Sequence, residues 1–224
     1  MLASVAYPLA QSFERRVSIY RKWKFMIPAM LITAGFFLIW DEFFTRIGVW
    51  SFNETYTLGI FIGSLPLEEW LFFLIVPYAC FFVYFVAEYF IKKDVFRTSY
   101  KYVSSIMIAV LLVFAGIYYD RWYSATTCIL PAILLIWLTF VKQVQYLGRF
   151  FTGYFISLIP FLIVNGILTS KPVVVYNNSE NSGIRIFING VANIPIEDLA
   201  YCLLLLLMNI SLYERFREKS NLLK

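Results

Sequence analysis

The chain has 224 residues, 61% of them hydrophobic and 20% aromatic, with a mean hydropathy of +0.72. A water-soluble domain of this length cannot hide so much apolar surface, so an integral membrane protein is expected. The net charge of +5 does not point to nucleic acid, because the basic residues fall in short blocks between apolar runs.

The absence of histidine excludes His-ligated haem, His-rich di-iron centres, histidine triads and most zinc sites. Cys80, Cys128 and Cys202 lie singly in apolar segments, without disulfide or zinc-ligand spacing, and read as small core residues. No G-x-G-x-x-G follows a strand, so a Rossmann cofactor site is not expected. Neither a cofactor nor a metal is implied, and any chemistry must run on carboxylates, aromatics and amides.

In chain order, Met1 to Phe13 is apolar but too short for a full crossing. It reads as a truncated or tilted first span, or as an interfacial piece, and not as a signal peptide, because no basic region precedes it. Spans are predicted at 25–43, 66–91, 101–119, 124–141, 150–168 and 195–215. The loop from Arg46 to Leu65 is flanked by aromatics and suits a re-entrant segment. Lys171 to Asn193 is the longest polar stretch and reads as an outer loop rich in turn formers. Fifteen lysines and arginines lie on one side of these spans, against only Arg46, Arg121, Lys171 and Arg185 on the other, which predicts a cytoplasmic C-terminus in the cell membrane.

One pattern occurs twice, its copies about 124 to 129 residues apart. Asp41 and Thr45 are followed by Val49-Trp50, Gly59-Ile60 and Pro66-Leu67-Glu68-Glu69; Asn165 and Thr169 are followed by Val175-Tyr176, Gly183-Ile184 and Pro195-Ile196-Glu197-Asp198. Three helices plus one connector return the second copy in the orientation of the first. The expected fold is therefore all-α: a polytopic helical membrane protein of six or seven transmembrane helices, built from two parallel three-helix repeats plus a connecting helix. The units are 1–95 and 121–224, with 96–120 as connector, and both acid pairs lie at one depth near the outer face.

Taken alone, Pro66-Leu67-Glu68-Glu69 is an ordinary helix start, with acids complementing the macrodipole. Its recurrence as Pro195-Ile196-Glu197-Asp198 favours function, since capping does not require the same two acids after the same upstream pattern. Adjacent helical residues point about 100° apart, so one acid of each pair is expected to face a cavity while its neighbour meets an interface or another helix; spacing does not say which. In a dry cavity one such group can hold a proton while its partner stays charged, as required to protonate an alkene and to accompany the resulting cation. Asp41 beside Trp40, and its counterpart Asn165, read as polar wall residues or interfacial anchors. Trp50, Trp70, Tyr176 and Tyr201 read as the aromatic lining of a slot for a long apolar substrate, or as belt and packing residues.

At Trp40-Asp41, Val49-Trp50, Gly59-Ile60 and P-L-E-E-W-L-F-F, followed by N-G-I-L-T, G-I-R-I and P-I-E-D-L-A-Y, the chain resembles the integral-membrane, heterodimer-type lycopene cyclases of bacteria, archaea and fungi. The resemblance runs from about Phe13 to Phe216 and is to a fused version of two homologous units. It implies non-redox cyclisation of the ψ end groups of lycopene to β-ionone rings, giving β-carotene by way of γ-carotene. No flavin is involved, and Glu68, Glu69, Glu197 and Asp198 are the functional acids. Lycopene and other linear carotenoids, and the lipid bilayer, are the implied partners, with other carotenoid enzymes or further copies of the chain as candidate protein partners. Members of that family have a full first helix, which Met1 to Phe13 does not supply.

Two other classes fit less of the sequence. A membrane prenyltransferase would use acids to hold magnesium and a diphosphate, and calls for D-x-x-x-D repeats with facing basic residues. A small proton-coupled transporter would carry broken helices at the midplane, whereas these acids lie near one interface. A retinal photoreceptor lacks its lysine between Pro195 and Tyr213.

Overall fold

The structure is a computed structural model and describes residues 2–171, 173–188 and 191–222. Its helices are α1 (Leu2–Gln11), α2 (Trp23–Arg46), α3 (Leu67–Phe90), α4 (Tyr100–Ile117), α5 (Trp122–Ile136), α6 (Leu147–Ser170) and α7 (Glu197–Leu222). A π turn at Trp137–Val141 extends α5. Among the described residues, six segments are long and apolar enough to cross a membrane: Ile19–Arg46, Leu67–Phe90, Tyr100–Ile117, Trp122–Val141, Leu147–Ser170 and Glu197–Ser220. The predicted spans all appear, with boundaries moved by a few residues. At ten residues α1 covers about 15 Å, half the bilayer core.

Helix α7 is the most enclosed span and packs on α2 and α5; α3 packs on α1, α2 and α6. Helix α4 is the most peripheral. It buries Ser104, Ile108, Leu111 and Ala115 against its neighbours and turns Tyr102, Ile106, Val110, Val113 and Ile117 outward. Those residues recur every three or four positions, so one apolar face meets helices and the other suits lipid. A cluster of buried side chains gathers Phe37, Trp40, Phe44, Phe73, Tyr123 and Tyr201 from α2, α3, α5 and α7, with Trp50 from the loop after α2.

The two interhelical loops meet. Strand β1 (Trp50–Phe52) comes from the first and β4 (Val174–Tyr176) from the second; they pair antiparallel, Trp50 opposite Tyr176 and Phe52 opposite Val174. The first loop, expected to suit a re-entrant segment, instead holds β1 and a small hairpin of β2 (Phe61–Ile62) and β3 (Leu65–Pro66). In the second, β5 (Arg185–Ile188) pairs with β6 (Val191–Pro195). Strands of two to five residues leave almost no period-two signal in the sequence, so hydropathy could not find them.

The repeated motif closes in the same way twice. The Leu67 N–H donates to the Ile60 carbonyl at 2.8 Å, and the Ile196 N–H to the Ile184 carbonyl at 3.1 Å. The Leu58 N–H donates to Glu68 Oε1, and the Ser182 N–H to Glu197 Oε1, each at 2.6 Å. Between these contacts the chain turns at Gly59 (φ 71°) and Gly183 (φ 76°), in the left-handed region that a Cβ disfavours. Gly59→Ala and Gly183→Ala should therefore each cost about 1–2 kcal/mol, read as a lower thermal midpoint of the solubilised protein.

Candidate functional site

Each first turn of α3 and α7 presents two acids, and the helical rotation sends them to different places. Glu68 and Glu197 point back to their own loops. Besides the Leu58 and Ser182 amides, Glu197 Oε1 accepts from the Ser124 hydroxyl at 2.6 Å. The second oxygen of each, Glu68 Oε2 and Glu197 Oε2, is buried without a hydrogen-bond partner. Glu69 and Asp198 instead line one shared cavity of about 60 Å³, with Asp41, Asn165, Tyr123, Tyr176, Tyr201 and Trp50. That volume holds one or two water molecules.

Inside the cavity the acids fall into two sets. Asp198, 3% exposed, receives three donors: the Tyr123 hydroxyl on Oδ1, with the Asn165 amide at 2.6 Å and the Tyr176 hydroxyl at 3.1 Å on Oδ2. Asp41, 2% exposed, accepts from the Tyr201 hydroxyl at 2.9 Å and lines the cavity together with Glu69. Asp41 with Glu69 thus corresponds to Asn165 with Asp198: carboxyl against carboxyl in one half, amide against carboxylate in the other. Tyr176 stands on β4, outside the spans. Withdrawal from water beside the Asp198 charge pushes its phenol well above the ordinary tyrosine range, so it stays a donor.

The remaining residues singled out in the sequence divide. Trp50 lines the cavity and packs edge-on to Tyr123, ring centroids 5.3 Å apart, while its Nε1 donates to Thr45 Oγ1 at 3.0 Å. Trp40 does not line the cavity; its ring packs against Phe37, Phe44 and Tyr201. Trp70 does not line the cavity, and its indole N–H is buried without a partner. Sequence reasoning missed Tyr123 and Ser124, which reach Asp198 and Glu197 from the start of α5. Their only sequence signal is a tyrosine at the end of an apolar run, indistinguishable from a belt residue.

A family model described as Lycopene cyclase matches residues 1–87 and 120–216, segments that contain all the cavity acids, Asn165 and the three cavity tyrosines. No curated protein and no solved structure matches the chain. With most of its length covered, the chain belongs to the lycopene cyclase family, and its place is in carotenoid biosynthesis.

Proposed function

We propose that this cyclase converts the ψ end groups of lycopene to β rings by proton addition and proton loss, with Asp41 and Glu69 as the proton-donating pair and Asp198 as the base. The carrying observation is the unlike make-up of the two halves of one cavity: Asp41 and Glu69 from one, Asn165 donating to Asp198 from the other. Two carboxyl groups sharing one small buried cavity do not readily both ionise, so that pair can store the acid. An ionised carboxylate is acceptor-only, and Asp198 has donors on both oxygens, an arrangement that suits the charged form.

The steps balance. A proton from the Asp41–Glu69 pair adds to the terminal double bond and leaves a tertiary cation. The inner double bond attacks that carbon, closes a six-membered ring and moves the positive charge to a ring carbon. Asp198 removes a proton from the neighbouring ring carbon, so the product is an isomer of the substrate. Loss that places the new double bond in conjugation with the polyene gives the most stable alkene, and this is the β ring. Trp50 and the tyrosine rings supply faces that stabilise the passing cation, and a water-poor pocket protects it from capture. Between turnovers Asp198 gives its proton to water and the donor pair takes one from water, which resets the cavity.

The chain is read as two three-helix units, residues 1–95 and 121–224, joined by the segment 96–120. The twice-made motif contacts and the pairing of Trp50 with its repeat counterpart Tyr176 support this. The distribution of basic residues supports a cytoplasmic C-terminus in the cell membrane, with the acids near the outer face. Cyclisation by membranes in deuterium oxide tests the mechanism: mass spectrometry should find one solvent deuterium in each ring formed. Rings formed without solvent label would exclude protonation by an exchangeable acid.

A further inference from the structure

The acid cavity is too small for an end group, but it is not isolated. Phe72, Phe161 and Asn165 line both it and a groove of about 270 Å³ bounded by α1, α3 and α6. The groove follows one stripe of α3 through Phe72, Val76, Ala79 and Val83, a run of about 16 Å at 1.5 Å per residue. Val164 faces it from α6, Tyr7 and Pro8 cover it from α1, and no charged side chain lines it. A second apolar groove, about 260 Å³ between α4, α5 and α7, ends at Glu197 and shares no lining residue with the acid cavity.

We propose that the polyene chain of the linear carotenoid lies in the groove between α1, α3 and α6, with Phe72 and Phe161 swinging apart to admit its end group to the acids. This rests on the cyclase reading above. The groove is lined mainly by apolar side chains, with Ser4, Tyr7 and Asn165 as its residues bearing a hydroxyl or amide, which matches a long hydrocarbon bearing no polar group. Its direction along α3 places one end group at Asp198 while the other points towards the opposite membrane face. One ring is then closed per visit, and a two-ring product requires release and reversal of the molecule.

Val83→Trp tests this, because Val83 lies at the far end of the groove, about 21 Å along α3 from Glu69. The full chain in lipid vesicles is given lycopene or a short analogue that carries the same ψ end group but cannot reach Val83. The wild type should cyclise both, and the variant should lose roughly tenfold or more on lycopene while staying within about twofold on the analogue. Retained activity on the analogue shows that the variant is folded with its acids in place. Unchanged conversion of lycopene, as when a lipid tail rather than the substrate fills the groove, would overturn the proposal. So would equal loss on both substrates. A wild type that cyclises neither would remove the cyclase reading and the groove assignment with it.

Discussion

Glu69→Gln is expected to lower lycopene conversion by about a hundredfold or more, the usual scale for removing a proton-transfer group, whereas Glu68→Gln should leave most activity. The two residues are adjacent and chemically identical, so the contrast isolates geometry. Glu69 lines the shared cavity together with Asp41, and the change to glutamine keeps its volume while removing the acid proton. Glu68 Oε1 accepts the Leu58 N–H and takes no part in the cavity. A glutamine carbonyl can accept the same bond, so Glu68→Gln loses charge at a loop contact and about 1 kcal/mol of stability. Pigment analysis of membranes carrying equal amounts of each variant separates the two outcomes.

Asp198→Asn should be comparably severe, roughly a hundredfold, for a different reason. The cavity loses its proposed base, and the replacement amide brings two hydrogens to a place already supplied with donors from Tyr123, Asn165 and Tyr176. At least one of those donors is left unpaired, at about 1–3 kcal/mol, so folding must be measured beside activity. The parallel change at Glu197 meets only the Ser124 hydroxyl and Ser182 amide, and an amide oxygen can accept both. The repeat thus divides each pair into a residue that fixes the loop and a residue that faces the shared cavity.

The spans were legible because about twenty apolar residues in a row have few other meanings, and the repeat was legible as paired acids behind a glycine turn. The split within each pair was not. Spacing says that the two acids of each pair diverge, but the directions of Glu68 and Glu197 are set by where Leu58 and Ser182 bring their amides, a property of the closed loops. Tyr123 was invisible for a related reason: 75 residues separate it from Asp198, and only the packing of α5 on α7 brings the two together. The asymmetry of Asp41 and Asn165 could be read from sequence as a difference, but its content, acid pair against held carboxylate, needed the cavity.

The most direct measurement is pigment analysis by liquid chromatography of a lycopene-accumulating bacterium expressing the wild type, Glu69→Gln or Asp198→Asn, with membrane-folded protein quantified in each. Conversion of lycopene to β-carotene by the wild type, lost in both variants, is the predicted result. Lycopene left unchanged by folded wild type, or β-carotene formed equally by all three, would contradict the account.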